Sequence, residues 1–415
     1  MRPLLLLSNG HGEDLSGALL GRELRRQGVP VEAMPLVGHG AAYRQAGIAV
    51  VGGPTREFST GGMGYTSIAG RLRELFQGQL LYLLARLWWL QRRRERYGLV
   101  LAVGDLVPVL AAWLMGRPAA VYLVAYSSHY EGRLRLPFPC GRLLRAACWR
   151  AIWSRDALTA HDLRGQLGRP VEFLGNPFLD LVAGAAPPPA AGAGGAELRQ
   201  SLALLPGSRL PEAGRNLILM LRLLPHLPEA LQDPKRLRLQ AALVGDLPAE
   251  AVASLAGRWG WRIEPGRPPT DDGAPRVLCR GPLRLQLHWG RFAPVLRESD
   301  LVLSMTGTAA EQAVGLGLPV LQLAGGGPQF TAGFAEAQRR LLGPGVYCAD
   351  GPAGEEATLA ASATLAAVLL ERQANAADGG WREELGRWAE ERIGAPGGSA
   401  RLAAAIMELS RKAPG

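Results

Sequence analysis

Short apolar runs alternate with helical patterns along the first half of the chain. The predicted strands are Leu4–Leu7, Val31–Leu36, Ile48–Val51, Leu99–Val103, Ala119–Val124 and Val171–Leu174. Predicted helices cover Leu15–Arg26, a stretch from Ile68 towards Arg94, and Pro108–Met115. This alternation is typical of βαβ units around a mainly parallel sheet. We therefore predict an α/β domain in this half.

The same pattern begins again after residues 183–197, a stretch rich in Ala, Pro and Gly that predicts a linker. The later predicted strands are Ser201–Leu205, Leu237–Val244, Arg276–Cys279, Leu301–Ser304 and Val320–Leu323. The later predicted helices are Glu212–Leu224, Ala249–Trp259, Thr308–Leu316, Thr331–Leu342 and a tail from Ala357, interrupted near Ala395–Gly398. We predict a second doubly wound domain over 198–375, facing the first (1–182) across a cleft, with 376–415 packing back onto the first.

Composition narrows the functional classes. The chain has 415 residues, a net charge of +10 and a sequence pI near 10.0, which favours an anionic partner. Lysine occurs only at Lys235 and Lys412, so the arginine excess also fits a compositional bias, and the positions of the arginines carry the information. No window has the ~20 uncharged apolar residues of a membrane span. The four cysteines form no CxxC pair, so we expect a cytoplasmic protein without a metal site.

The sharpest motif is Pro206-Gly207-Ser208-Arg209, between a predicted strand and a helix that contains Glu212. The glycine lets the backbone approach a ligand, the serine can donate to an oxygen, and the arginine can bind a phosphate with two parallel hydrogen bonds. A helix N-terminus adds partial positive charge. The alternative is an ordinary turn in which Ser208 caps the helix.

A second polar loop, Thr306–Gln312, follows another buried strand. Thr306, Gly307 and Thr308 offer hydroxyl and amide groups to a diphosphate at a helix start. Glu311 lies one turn further on, where a carboxylate can accept from ribose hydroxyls, beside Gln312. The alternative interpretation assigns these residues to helix capping and to pairing with the helix dipole.

Two loops of the first half carry candidate catalytic groups. The first loop contributes Asn9, Gly10, His11, Gly12, Glu13 and Ser16. Asp105 follows the strand Leu99–Val103, so it is expected in the crevice at the carboxyl ends of the strands, where it can act as a general base. The alternatives are that Asp105 only caps the next helix and that His11 is a solvated loop residue.

These loops, in this order, resemble the lipid-A-disaccharide synthase family of GT-B glycosyltransferases, and most closely a synthase-related branch associated with cyanobacteria. The resemblance rests on LLPGSR with Glu212, on GTAAEQAVGLGLPVL at 307–321, and on LGNPFLD at 174–180. Gln329 lies where related sugar-nucleotide transferases have donor-binding glutamines. The first loop differs from the synthases, and its His11 is similar to that of the glycosyltransferase of lipid II synthesis.

The resemblance implies a GT-B fold and an inverting transfer, without a bound metal or other cofactor, from a UDP-sugar on the second domain to a lipid or lipid-linked acceptor on the first. Asp105 or His11 is then the catalytic base. Two alternatives remain: a UDP-sugar 2-epimerase, and a non-catalytic UDP-sugar-binding regulator of envelope synthesis. A nucleic-acid partner is not expected, since no recognisable module accompanies the arginines. The sequence leaves the oligomeric state open.

A membrane surface is the other expected partner. Leu80–Leu90 (LLYLLARLWWL) precedes a basic cluster at 92–96, the composition of a helix that lies in a membrane interface. Arg133–Arg155, with Phe138, Trp149 and Trp153, is expected to widen this surface. We therefore predict peripheral association with the inner face of an anionic membrane. The alternative is a core helix with solvated arginines at its end.

Overall fold

The structure, a computed structural model, describes residues 2–53, 55, 79–130, 132–184, 199–264, 275–325, 332–375 and 380–412. The chain divides into two compact units. The first comprises Met1–Asp180 and Gly394–Gly415, and the second comprises Leu181–Ile393. Within the described ranges, no helix has the length and apolar character needed to cross a bilayer.

The first unit is built on a six-stranded parallel sheet with the order β3-β2-β1-β4-β5-β6. Its strands are β1 (Leu4–Ser8), β2 (Val31–Pro35), β3 (Ala49–Val50), β4 (Leu99–Val103), β5 (Ala119–Leu123) and β6 (Trp149–Ser154). Its helices are α1 (His11–Arg26), α2 (Ala41–Gln45), α3 (Gln79–Arg93), α4 (Leu106–Met115), α5 (Cys140–Leu143), α6 (Ala157–Leu167) and α15 (Gly398–Lys412), with short 3-10 turns at Arg94–Arg96 and Pro177–Leu181.

Helices cover both faces of this sheet, which explains why its central strands β1, β4 and β5 are almost continuously apolar. Successive side chains of a strand point to opposite faces. Leu5 and Leu7 accordingly pack with α3, α4, α5 and α6, whereas Leu4 and Leu6 pack with α1, α2 and α15. Because helices cover both faces of the sheet, the polar residues that can form a site are those at the carboxyl ends of the strands.

The second unit has an eight-stranded sheet with the order β14-β13-β12-β7-β8-β11-β10-β9. Its strands are β7 (Gln200–Leu205), β8 (Leu237–Leu243), β9 (Arg262–Ile263), β10 (Arg276–Arg280), β11 (Leu283–Trp289), β12 (Leu301–Ser304), β13 (Val320–Gln322) and β14 (Val346–Cys348). Its helices are α7 (Glu212–Leu223), α8 (Glu229–Gln232), α9 (Ala249–Gly257), α10 (Phe292–Arg297), α11 (Thr308–Gly315), α12 (Ala332–Leu342), α13 (Glu356–Asn375) and α14 (Gly380–Arg392), with a 3-10 turn at Leu224–His226. β9 and β10 pair antiparallel at one edge, and the remaining pairs except β10–β11 are parallel.

Three sequence-based expectations are wrong. The sixth strand of the first sheet is Trp149–Ser154, whereas Val171–Leu174 contributes only an isolated bridge at Glu172. Both tryptophans of that strand are buried, so they do not belong to a membrane surface. The missed β11 pairs with β10 across a short turn at Gly281, a hairpin hidden by the mixed polarity of both strands.

The last domain boundary also differs from the prediction. The chain returns to the first unit at Gly394, not at residue 376. The reason is that α14 packs on α11 and α12 of the second unit, while only α15 packs on α1. The carboxylate of Asp180 accepts hydrogen bonds from the amides of Gly397 (2.5 Å) and Ser399 (2.7 Å), which fixes the start of α15.

Candidate active site

The order of strands in the first sheet reverses direction between β1 and β4. Since these two strands are parallel neighbours, with Ser8 opposite Val103, the loops that follow them meet at one edge. Gly104 has φ +131°, and a β-carbon there would come within 2.8 Å of the Glu13 side chain. Glycine is therefore required where the two loops approach each other.

Asn9 and Asp105 are joined directly across this junction. The Asn9 Nδ2 donates to both carboxylate oxygens of Asp105, at 3.2 Å and 3.1 Å. One of those oxygens also accepts from the amide of Val107 at 2.9 Å, so Asp105 is the N-cap of α4. Burial raises the pKa of Asp105 above its ordinary value, although the hydrogen bonds from Val107 and Asn9 oppose this. The carboxylate is thus both a cap and a stronger base than a solvated aspartate.

Two residues that the sequence analysis missed lie near Asp105 and the start of α4. The hydroxyl oxygen of Tyr126, from the loop after β5, accepts from the amide of Leu106 at 3.0 Å. Cys140 is fully buried, and burial together with the charge of Asp105 raises the pKa of its thiol to about 12. The tyrosine lies beside the first turn of α4, and the thiol stays protonated and unreactive.

The rest of the first loop forms the start of α1. Gly10, at φ +139°, precedes the helix, and His11 is its exposed first residue. Space around Gly12 is open, since a β-carbon there would have no neighbour within 4 Å. Ser16, in contrast, is buried in the second turn, and its hydroxyl has no hydrogen-bond partner among the described residues.

A buried polar chain under this loop was not foreseen. Tyr43 donates to the Ser8 hydroxyl (2.8 Å), which donates to the Asp14 carboxylate (2.6 Å). Burial raises the pKa of Asp14 to about 7, despite hydrogen bonds from Ser8 and from the Gly40 backbone. The local sequence pattern does not predict this role of Asp14, because nothing in its spacing shows that Tyr43 and Gly40 converge on it.

In the second unit the corresponding reversal lies between β7 and β12, where Leu205 is opposite Ser304. The two polar loops predicted to bind a donor follow these strands and come together. A β-carbon added to Gly207, at φ +113°, would lie 3.7 Å from the carbonyl oxygen of Met305 and 4.0 Å from the Thr306 methyl. The Asn216 side chain donates to the Pro206 carbonyl at 2.8 Å and anchors the first of these loops to α7.

The side chains of the first loop are available to a ligand. Ser208 and Arg209 are exposed, and neither side chain has a hydrogen-bond or ion-pair partner among the described residues. Glu212 begins α7, which has no side-chain cap, so Ser208 is not the capping residue that the alternative interpretation required. A guanidinium beside an uncapped helix start is suited to an anion.

The second loop is more internally bonded than predicted. Thr306 is buried, and its hydroxyl contacts Ser304 (2.7 Å) and accepts from the amide of Ala310 (3.1 Å), which is a capping role. Gly307 and Thr308 form the start of α11, and both Glu311 and Gln312 are buried in it. Gln329 lies outside the described residues.

Gln322, at the end of β13, is a further polar residue at this edge that the sequence analysis assigned only to a strand. It is 2% exposed, it pairs in register with Ser304, and neither atom of its amide has a hydrogen-bond partner among the described residues. The sequence does contain a signal for Gln322 as a site residue, because it is a glutamine inside an otherwise apolar strand. Among the described residues, no cluster of three or more metal-ligating side chains is present.

Solved structures with the same architecture span the whole chain. MurG of Acinetobacter baumannii has a TM-score of 0.55 at 15% identity and covers 98% of this chain and 99% of its own. CalG4, the calicheamicin glycosyltransferase, has a TM-score of 0.55 at 19% identity and covers 100% of both chains. A Listeria monocytogenes protein assigned as a UDP-N-acetylglucosamine 2-epimerase has a TM-score of 0.51 at 15% identity and covers 100% of this chain and 98% of its own.

No protein-family model and no curated protein sequence matches the chain. At these identities the structural likeness defines the fold. The protein has the GT-B fold, with two Rossmann-like domains, as the sequence predicted.

Proposed function

We propose that the protein is an inverting glycosyltransferase that moves a sugar from a UDP-sugar to a hydroxyl of a lipid or lipid-linked acceptor. One observation carries the proposal: the loop of Arg209, which is exposed and has no partner among the described residues, approaches Met305 and Thr306 just before α11, at the strand-order reversal of the second sheet. This combination of a cation and helix-start amides is suited to a diphosphate leaving group.

In the proposed reaction the acceptor hydroxyl attacks the anomeric carbon while the bond from that carbon to the UDP oxygen breaks. Asp105 removes the hydroxyl proton, with Asn9 holding its carboxylate in place. The raised pKa of Asp105 brings it closer to working pH, where a general base is most effective. His11, exposed at the start of α1, is the other candidate base.

The donor is assigned to the second unit. Arg209, Ser208 and the amides at Gly307–Thr308 stabilise the negative charge that develops on UDP. Glu311 accepts from the ribose hydroxyls, with Gln312 beside it. We propose no resident cofactor, because these groups do the electrostatic work on the departing diphosphate that a metal ion would otherwise do.

A lipid acceptor is supported by the outer surface of α3. Leu81, Leu84 and Trp88 are 74%, 51% and 58% exposed on one face of that helix. The Arg92 guanidinium stacks over the Trp88 ring at 3.8 Å. Exposed leucines and a tryptophan beside arginines are what an interfacial helix requires, so we propose peripheral docking on the inner face of an anionic membrane.

The structural neighbours also favour a second candidate, a UDP-sugar 2-epimerase, since the Listeria protein shares the fold. An epimerase has no lipid acceptor and so gives no role to the exposed α3 surface. A UDP-sugar-binding regulator would bind the nucleotide yet keep its function without Asp105 and His11. Incubation with a panel of UDP-sugars and a membrane lipid extract, followed by mass spectrometry, distinguishes the three: a glycolipid, an epimerised sugar nucleotide, or no product.

The donor assignment is tested by UDP calorimetry on single variants. Arg209→Ala should weaken UDP binding by roughly 1.5–3 kcal/mol, the usual effect of losing a hydrogen bond to a charged group. Glu311→Ala should also weaken it, whereas Arg258→Ala, an exposed arginine just after α9, should not. Unchanged UDP affinity in both Arg209→Ala and Glu311→Ala would falsify the assignment.

A further inference from the structure

A groove on the first unit lies apart from the loops assigned to chemistry. It has a volume of about 680 Å³, within the usual range of ligand sites, and three arginines line it: Arg133, Arg135 and Arg145. We call it the arginine groove. None of the described residues that line it is acidic.

The arginine groove lies towards the amino ends of the strands, whereas Asp105 lies at their carboxyl ends. Gln166 and Leu167, in the last turn of α6, form one wall. Asp156 caps the first turn of the same helix, after the carboxyl end of β6. Because α6 has 11 residues and a helix rises about 1.5 Å per residue, the groove is roughly 15 Å from the catalytic edge along the helix axis.

Hydrogen bonds hold the groove wall in shape. The Gln166 side-chain amide donates to the Leu134 carbonyl and to Asp162, both at 2.8 Å. Asp162 also accepts from the Leu134 amide (2.6 Å) and the Ser128 hydroxyl (2.9 Å). These bonds, with the charge of Arg133, lower the pKa of Asp162 despite the opposing effect of its partial burial. Asp162 therefore serves the wall, and the described residues that line the groove itself include three arginines and no carboxylate.

The arginines of the groove differ in their hydrogen-bond partners. Arg145 donates to the Gln166 backbone carbonyl at 2.6 Å, which directs it along the wall. Arg135 is exposed and has no partner among the described residues. Guanidinium groups that line one groove are suited to phosphate, which they bind through paired hydrogen bonds.

Apolar residues line the groove beside the arginines. Leu134 and Leu136 line it, and Gly141 lies close to Leu136, since a β-carbon on this glycine would be 3.8 Å from the leucine side chain. Phe138 lies in the turn between Leu136 and Gly141 and is 80% exposed. A phosphate with apolar chains attached matches guanidinium groups beside leucines and an exposed phenylalanine better than a free anion does.

We propose that the arginine groove binds the phosphate headgroup of an anionic phospholipid, with Phe138 entering the bilayer interface. The proposal rests on the proposed membrane docking but not on glycosyl transfer. It adds a defined headgroup site to the attraction for anionic membranes that the arginines at 92–96, beside the exposed face of α3, also supply. Attraction of a basic residue to an anionic leaflet is worth ~1 kcal/mol.

Flotation with vesicles tests the proposal on the full-length protein. One variant combines Arg133→Gln, Arg135→Gln and Arg145→Gln, and a matched control combines Arg236→Gln, Arg258→Gln and Arg262→Gln, exposed arginines of the second unit. On phosphatidylcholine vesicles containing phosphatidylglycerol, the groove variant should bind about 100-fold more weakly, at ~1 kcal/mol for each arginine. The control should bind like the unaltered protein.

Thermal unfolding in which the transition of the first unit is retained establishes that the groove variant is folded. If the triple variant is unstable, Arg133→Gln with Arg135→Gln, which removes no hydrogen bond of the wall, should still lose about 30-fold. Equal losses in the groove variant and its control, or no loss in either, would overturn the proposal. Groove-dependent binding of inorganic phosphate without binding to the anionic vesicles would overturn it as well.

A Trp88→Ser variant separates this proposal from membrane docking itself. It should weaken binding to neutral and anionic vesicles alike, whereas the groove variant should lose affinity for anionic vesicles only and keep the smaller anionic preference that residues 92–96 supply. If Trp88→Ser abolishes binding while the groove variant keeps its anionic preference undiminished, docking stands and the groove proposal fails.

Discussion

Asp105 serves two purposes, and different substitutions separate them. Asparagine keeps an oxygen that can accept from the Val107 amide, so α4 stays capped, but it cannot take a proton. Asp105→Asn should therefore reduce turnover by about 10²–10⁴-fold with little change in melting temperature. Asp105→Ala should also lose about 1 kcal/mol of stability through the missing cap.

The assay for these variants is glycosyl transfer with the donor and acceptor found by the product screen. His11→Ala is the matched test of the other candidate base. Turnover that survives in Asp105→Asn and disappears in His11→Ala assigns the base to His11. Survival in both variants rules out both residues.

Asp14 gives a pH dependence with a definite sign. Its pKa is about 7 in the folded chain and near 3.8 when solvated, so the folded state holds a proton that the unfolded state has lost between these values. Stability then falls as pH rises through this window, by on the order of 4 kcal/mol in total. Denaturant unfolding of Asp14→Asn should show a smaller fall than the unaltered protein between pH 4 and pH 8. An identical pH dependence would show that Asp14 is ionised when folded.

At the scale of elements, α3 has two apolar faces with different partners. Leu83, Leu87 and Trp89 pack against the core of the first unit, while Leu81, Leu84 and Trp88 face outward. Arg86 is buried between these faces and donates to the Val51 carbonyl and the Tyr82 hydroxyl. The adjacent Trp88 and Trp89 of α3 therefore have different surroundings, since Trp88 is exposed and Trp89 packs against the core. The sequence-based expectation that both belong to the surface is wrong for Trp89.

This division predicts opposite outcomes for neighbouring substitutions. Trp88→Ser should weaken binding to anionic vesicles, increasingly so with added salt, and leave the melting temperature almost unchanged, since its ring is exposed. Trp89→Ser should lower the melting temperature because it removes packing from the core. Flotation and thermal unfolding measure the two effects. Equal flotation of Trp88→Ser and the unaltered protein would contradict docking through α3.

At the scale of the whole molecule, the first unit depends on the last helix of the chain. Leu402 and Ile406 of α15 are fully buried against the sheet and α1. Burying two such side chains contributes about 3–6 kcal/mol, a large part of a domain's stability. Removing residues 394–415 should therefore unfold the first unit and leave UDP binding to the second unit intact.

Calorimetry separates these outcomes, because the truncated chain should lose one unfolding transition and keep its UDP affinity. Ile406→Ala is the milder control, and it should cost about 2–5 kcal/mol in the first unit alone. Loss of UDP binding on truncation would show that the two units do not fold independently.

Strand and helix content was largely determined by the sequence alone. Buried parallel strands are continuous apolar runs, and the glycine-containing polar loops between a strand and a helix identified Gly207 and Thr306–Gln312 as candidate site residues. Asn9 and Asp105 each follow a predicted parallel strand, and ligands bind beyond the carboxyl ends of such strands, so both were expected near the crevice. Such signals are local, so the sequence displays them directly.

The tertiary structure alone decided which polar groups meet. Three features depend on residues brought together by folding: the Tyr43–Ser8–Asp14 chain, the capping role of Thr306, and the Gln322 amide, which has no partner in the described part of the chain. The same holds for the exposed fractions of Trp88, Trp89 and Trp149, which share one residue type and differ only in their neighbours. Apolar periodicity reports that a side chain can be buried, whereas its actual partner depends on how the elements pack.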